Sequence, residues 1–548
     1  MEEFKKGGSE AGTVVRPSPE WLSWVDRFAD WMQASAGFLV ILVAWVYVVA
    51  TAMRAQHFAF WYDELLTVYI CRLPRLADVW HALRAGLDLN PPFQYVAVRA
   101  AQSVFGQGQL ATRLPVLTAF LAMSLFLFLY LRRRVHVGWA LTAMLFPWMT
   151  DAYRFAMDAR PYGIVLGAAG AALYFWSRAT ESDRPIWAPV GLGLSLMVAL
   201  ATHCYGVMLA VPLAAGEAVR LWRRRRPDWL LWSSMAVGAW PIVMYPALMA
   251  ANPASPVQKS SPFHVSLWTA PETYNELLQP AFWVLLFVLA ISLAGPRREA
   301  REKSSVPFHE LAVLMGFAAI PLFAVALSAI TTGTYSLRYG VPGVIGIAGL
   351  LAWACARMSA NPARSGAISA LVLMAVFTGQ FAKQLWSATR QESPRREVVR
   401  VTSPPPAETL GDVAGYPLLS LASGSNLPIA VADGLAFLTL DYYGNDALRA
   451  RSFYLMDPQA AMRRTGSAWF DTTYPTAKRM LQIRSNIELA DQFLARKQSF
   501  LVYSTGRVVE WLIPELLARG WHLRVLGKNA TVMMLEATPA EDESVGVP

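Results

Sequence analysis

A polytopic α-helical membrane protein with a small α/β domain outside the bilayer is the fold class this sequence predicts. Charged residues make up only 16% of the 548 residues and hydrophobic ones 55%, whereas soluble proteins carry about 25% charged residues. Eleven apolar runs, most close to a bilayer's thickness, lie between residues 37 and 386. Past residue 395 the chain turns polar, with short strand and helix patterns alternating.

The N-terminal 36 residues are too long and too acidic for a signal peptide's charged head, so a cytoplasmic tail is expected. In it Trp21, Trp24, Val25, Phe28, Trp31 and Met32 recur at helical spacing among Glu20, Asp26, Arg27 and Asp30, the pattern of an amphipathic interfacial helix. The apolar runs follow at about 37–53, 110–131, 138–150, 161–177, 188–201, 204–222, 229–249, 280–295, 311–330, 339–356 and 366–386. Phe93 to Phe105 is apolar too, but it has thirteen residues and carries Arg99 at its middle.

Charge parity decides the status of that segment. With Phe93–Phe105 left out, the loops 132–137, 178–187, 223–228, 296–310 and 357–365 hold fifteen Lys and Arg in 46 residues. The loops 54–109, 151–160, 202–203, 250–279 and 331–338 hold nine in 106. Cytoplasmic loops are the Lys/Arg-rich ones, so the first set is expected inside. Phe93–Phe105 then reads as a surface helix of a first outer loop, 54–109. The net charge of +10 follows this topology, and no nucleic-acid partner is expected. The organisation expected is a tail over 1–36, a transmembrane domain of about eleven spans over 37–390 and an extracytoplasmic domain over 391–548, in a multi-pass protein of the inner membrane.

Pro404 to Pro406 mark a linker into that last domain. Ile429–Ala432, Phe453–Met456, Phe500–Tyr503 and Thr531–Leu535 read as strands, and Ile487–Ala495 and Val508–Ala518 as helices. Neither a Walker pattern nor a Gly-x-Gly-x-x-Gly is present. The three cysteines, Cys71, Cys204 and Cys355, are far apart and make no metal motif.

Polar clusters fall on the outer side by this parity. They are Asp63-Glu64, inside Trp61 to Glu64; Asn90-Pro91-Pro92, where the prolines predict an extended entry; Arg154 with Asp158-Ala159-Arg160-Pro161-Tyr162; and Tyr335, Arg338 and Tyr339. His203, in a short outer turn, is a weaker fifth. Ionisable groups near a bilayer are costly and mark substrate paths or reaction centres. Each cluster also has a plain structural reading, as a solvated loop, an ion pair or a snorkelling arginine; their agreement on one face is the stronger signal. A carboxylate can take a proton from an attacking hydroxyl or hold a divalent metal, and arginines grip phosphate oxygens. Together they suit a lipid-borne, phosphate-activated donor.

An outward Asp-Glu after the first span, Asn-Pro-Pro, Arg113-Leu114-Pro115 and the acidic-Ala-Arg-Pro-Tyr run at Asp158–Tyr162 occur in this order. The succession resembles the GT-C glycosyltransferases, in the branch of dolichyl-phosphate-mannose protein mannosyltransferases and bacterial aminoarabinose lipid A transferases, over residues 37 to 345. The resemblance implies a GT-C-like fold and inverting transfer of a sugar from a polyprenyl-phosphate donor to a lipid, glycan or protein hydroxyl on the outer face. It implies Asp63 as base or acceptor-positioning group, Glu64 in support and Asp158 as the second acidic residue of the catalytic set, orienting donor or acceptor. Arg160, Arg338 and Tyr339 would meet the donor phosphate, and Asn90, Tyr162 and His203 the substrates. Asn90 stands where His is more usual and Asp158 where Glu is. No cofactor is assigned; a divalent metal, on Asp63 if bound, stays open. The competing classes are a transporter or flippase of lipid-linked sugars and a cell-envelope assembly protein.

Overall fold

The computed structural model describes residues 20–250, 265–294, 306–389 and 417–539, apart from 267, 332, 508 and 509. The tail before residue 20, the Pro404–Pro406 linker and much of the loop 296–310 lie outside the described residues.

An amphipathic helix α1 (Glu20–Ala34) leads into α2 (Ala36–His57), followed by the short α3 (Tyr62–Cys71), α4 (Leu76–Arg84) and α5 (Phe93–Phe105). Then come α6 (Gln109–Leu131), α7 (Val137–Met149), α8 (Tyr162–Thr180), α9 (Trp187–Thr202), α10 (Ala210–Arg224), α11 (Trp229–Gly238) and α12 (Tyr245–Met249). The bundle closes with α13 (Thr269–Leu278), α14 (Phe282–Leu293), α15 (Phe308–Ala318), α16 (Ile320–Thr331), α17 (Gly343–Met358) and α18 (Pro362–Thr389).

Each of the eleven apolar runs is helical, but their lengths are uneven. Among the described residues five helical stretches are long and apolar enough to cross a bilayer: 36–57, 109–131, 204–224, 269–293 and 362–383. A sixth is the pair α15–α16, bent by 50°. α7, α9 and α17 are shorter apolar helices, and the run 229–249 is broken into α11, a 3-10 turn and α12. Pro241 and Pro246 lie at this break, where a missing N–H and a fixed φ interrupt the helical ladder. The run expected from residue 280 begins eleven residues earlier, at Thr269.

Packing of α6 on α8 sets up the site. Gly163, Gly167 and Gly170 present no side chain to α6, and a Cβ on Gly167 would sit 2.5 Å from the Ala119 carbonyl oxygen. Small residues at this spacing let helix backbones approach. Leu127 and Phe128 of α6, Trp148 of α7 and Trp176 of α8 belong to one continuous buried core. At the other end of the bundle α1 turns Ala29 and Met32 inward, keeps Trp24 and Trp31 exposed, and is tied to α18 by Asp26 and Arg364 at 2.6 Å.

The C-terminal domain runs β1 (Ile429–Val431), α19 (Gly434–Tyr443), α20 (Asp446–Arg451), β2 (Ser452–Met456), α21 (Pro458–Thr465), α22 (Trp469–Met480), β3 (Asn486–Leu489), α23 (Ala490–Leu494), β4 (Phe500–Ser504), α24 (Leu512–Ala518), β5 (His522–Lys528) and β6 (Met533–Thr538). Its sheet order is β3-β2-β1-β4-β6-β5; the first four strands are parallel, and β6 pairs antiparallel with both β4 and β5. The four expected strands are present. The helix expected over 487–495 is instead strand β3 followed by the short α23, because Ile487 pairs with Tyr454 of β2. Cross-strand packing overrides local propensity there.

Candidate active site

Helix α3 begins where an extended Trp61 meets two acidic residues in its first turn, which suits the positive end of the helix dipole. Glu64 reaches back to accept the Trp61 amide at 3.3 Å. Its carboxylate is fully buried and bridges three elements. Arg113 of α6 donates Nε and Nη2 to it at 2.7 and 2.6 Å, and the Ala159 amide donates at 2.7 Å. Arg113 also donates to the carbonyls of Ala55, Phe58 and Ala59 at 2.7, 2.8 and 3.1 Å. These bonds fill the acceptor sites of Glu64 and withdraw it from solvent. Its surroundings are those of an anchor.

Asp63, next on the same turn, is partly open, with 20% of its side chain exposed. Arg338 donates to its Oδ2 at 2.9 Å, and Arg160 Nε stands 3.9 Å from the same oxygen. The two arginines are held differently. Arg160 is 6% exposed and clamped by Asp88 at 2.5 Å, with a second bond to the Asp63 carbonyl at 3.0 Å. Asn90 Nδ2 donates to Asp88 at 2.7 Å. Burial raises the Asp88 pKa, but the Arg160 charge and hydrogen bond outweigh it and hold the carboxyl below its usual range. Arg338 keeps 30% of its side chain exposed, and its Nε has no hydrogen-bond partner among the described residues. Asn90 and Pro91 lie outside any helix, and Pro92, at φ −74° and ψ −16°, already has helical backbone one residue before α5. Gln94 of α5 ties this loop to the Ala159 carbonyl at 2.6 Å.

Asp158 is partly buried. Burial and the adjacent Glu64 charge push its pKa up to about 7, against the pull of Arg113 and Arg154. It is the carboxyl of this group poised to change charge near neutrality.

Arg338 faces a small aromatic pocket lined by Tyr162, His203, Tyr205 and Tyr339. Tyr205 and Tyr339 stack at 4.0 Å and 7°, and the Arg338 guanidinium lies 5.6 Å from the Tyr162 ring and 5.8 Å from Tyr339. Burial, then the Arg338 and Arg160 charges, depress the His203 pKa to about 3. Its Nδ1 accepts the Tyr205 amide at 3.0 Å, so the neutral ring carries its proton on Nε2.

The structure therefore brings Asp63, Arg160, Arg338, Tyr162, Tyr339 and His203 around one place, with Glu64, Asn90 and Asp158 directly behind. Asp88 and Tyr205 escaped the sequence reading, and Arg113 entered it only as part of a motif. Asp88 stands two residues before Asn90 with no periodicity to mark it; its signal was a carboxylate beside a Pro-Pro turn.

No family model and no curated protein matches this chain. Among solved structures it is similar to ArnT from Cupriavidus metallidurans in the apo state, at TM-score 0.54 and 15% identity over 92% of this chain and 98% of that one. The same protein bound to undecaprenyl phosphate gives TM-score 0.51 at the same identity and coverage. The likeness establishes the fold: a polytopic helical membrane protein with a C-terminal α/β domain.

Proposed function

We propose that this chain is an inverting GT-C glycosyltransferase that moves a sugar from a polyprenyl-phosphate donor to an acceptor hydroxyl on the extracytoplasmic face. The observation that carries the reading is Arg338, a partly exposed guanidinium with an unpartnered Nε, held 2.9 Å from the Asp63 carboxylate beside an aromatic pocket. That unit couples a phosphate grip to a base. An arriving phosphate takes Arg338 and frees Asp63, which accepts the proton of the acceptor hydroxyl. The acceptor oxygen attacks the anomeric carbon, the carbon–oxygen bond to phosphate breaks, and the polyprenyl phosphate leaves with the electron pair against Arg338. Arg160, committed to Asp88, holds the Asp63 backbone in place, and Glu64 anchors the turn. Tyr339, Tyr162 and the neutral His203 line the space for lipid phosphate and sugar. Guanidiniums are the close side-chain neighbours of Asp63, and among the described residues no three His, Cys, Asp or Glu side chains gather as a metal group. Two guanidinium charges beside Asp63 disfavour a divalent cation on its carboxylate.

Support for the donor class also comes from the fold relative that was solved with undecaprenyl phosphate. The test is transfer from radiolabelled undecaprenyl-phosphate sugars to lipid, glycan and peptide acceptors in proteoliposomes. Transbilayer movement of the donor without transfer would favour a flippase instead. Arg338→Ala is expected to weaken undecaprenyl phosphate binding by about 10- to 100-fold, the value of a charge-assisted hydrogen bond. Unchanged binding removes Arg338 from the phosphate site.

A pH dependence follows from Asp158, neutral below about 7 and charged above it. Raising the pH from 6 to 8 takes Asp158 from mostly neutral to mostly charged, adding most of one negative charge to the wild-type site and none to Asp158→Asn. The ratio of wild-type to Asp158→Asn affinity for undecaprenyl phosphate should then fall about two- to fivefold, as Coulomb repulsion across about 10 Å gives. The titration of the lipid phosphate is common to both proteins and cancels. A ratio independent of pH removes Asp158 from the field of the donor site.

A further inference from the structure

We infer that the C-terminal α/β domain is a positioning element of the active site, holding the turn that carries Asp63 through Tyr443 of α19. This rests on the reading above that Asp63 acts in sugar transfer. The Phe60 amide, three residues before Asp63, donates to the Tyr443 hydroxyl at 2.8 Å. Phe60 is also the ring beneath the Arg113 guanidinium, 4.9 Å away, and the preceding carbonyls of Phe58 and Ala59 are those that Arg113 binds. Tyr443 therefore fixes one side of the loop whose other side is the Arg113–Glu64 anchor. Glu64 in turn holds the Ala159 amide, so the loop carrying Asp158 shares the same support.

Further contacts from the same domain follow α3 along its length. Tyr62, adjacent to Asp63, meets Trp469 and Phe470 of α22 edge-on at 5.9 and 5.6 Å. The Tyr69 hydroxyl bonds the Asp441 carboxylate, whose other oxygen accepts the Arg484 and Ser485 amides at 2.9 and 2.6 Å. Arg72 donates to the Tyr442 hydroxyl at 3.1 Å. Tyr62, Leu65, Leu66 and Tyr69 of α3 share one buried core with Phe437, Leu440 and Tyr474 of the domain. A helix of ten residues is marginal alone; here a folded domain supplies the rigid backing that a base needs, since misplacements of about 1 Å are costly in rate.

The experiment uses the full chain in nanodiscs with Tyr443→Phe, which keeps the ring and removes the hydroxyl, and Tyr69→Phe as a second variant. Hydrogen exchange of segment 58–71 and transfer kinetics are measured together. In Tyr443→Phe the Phe60 amide is expected to exchange at least about tenfold faster and turnover to fall about tenfold, the scale of one hydrogen bond. Donor KM and the melting midpoint stay at wild-type values. Tyr69→Phe should give the same kcat-only pattern, more weakly. Unchanged exchange, unchanged turnover, or a loss that tracks donor KM or melting overturns the proposal. A wild-type chain inactive with every donor sinks the glycosyltransferase reading instead, and the exchange measurement then decides the hold on α3 by itself.

Discussion

Asp63→Asn is expected to abolish sugar transfer, by about 10²- to 10⁴-fold, the contribution of a positioned general base. Undecaprenyl phosphate should bind no more weakly than to wild type. The two effects separate because Asp63 and Arg338 hold one another at 2.9 Å. Asparagine keeps the shape but has no basicity, and it leaves the guanidinium less engaged. Turnover by single-round transfer assays and binding by titration in nanodiscs check the pair of outcomes. Transfer at the wild-type rate would mean that the acceptor proton leaves by another route; lost binding would make Asp63 part of the donor site instead.

The second large effect is on stability. Arg113 and Glu64 are 2% and 0% exposed, so neither charge is screened by water. Arg113→Met leaves a buried, unpaired carboxylate and should cost about 3–5 kcal/mol, the penalty for breaking a buried pair from one side. Combining it with Glu64→Gln removes the orphaned charge and should recover most of that loss, although the Ala159 amide keeps only an amide oxygen as acceptor. Equilibrium unfolding in mixed micelles of the two single variants and the double measures this cycle. A single variant as stable as wild type would show that the pair is solvated. Activity should remain low in the double variant even where stability returns, because the turn bearing Asp63 has lost its anchor.

Much of the candidate site was legible because charge is scarce in this chain. Asp63, Asp158, Arg160 and Arg338 stand out against apolar surroundings, and each sits at a helix end or in a turn that proline or an acidic first turn announces. Their roles were less legible. Glu64 read as a group supporting Asp63, and its partner Arg113 lies 49 positions away. Arg160 read as a phosphate ligand, and its partner Asp88 lies 72 positions earlier. No local pattern encodes either pairing. The seam between the two domains was illegible for the same reason: Tyr443 and Phe60 are 383 positions apart.

What the sequence determined by itself was the kind of molecule: apolar runs that form helices, a polar tail patterned as alternating strand and helix, and the carboxylates and arginines set between them. These depend on composition and on periodicities of a few residues, which any window of the chain reveals. Tertiary structure decided which charge anchors and which stays open. Gly163, Gly167 and Gly170 let α8 close on α6, bringing the Ala159 amide and Arg113 together on Glu64. Burial then enclosed Glu64 and Arg160, pairing them with Arg113 and Asp88, and left Asp63 and Arg338 partly exposed. An ionisable group buried this deeply must be paired, and which group is buried depends on how the helices pack.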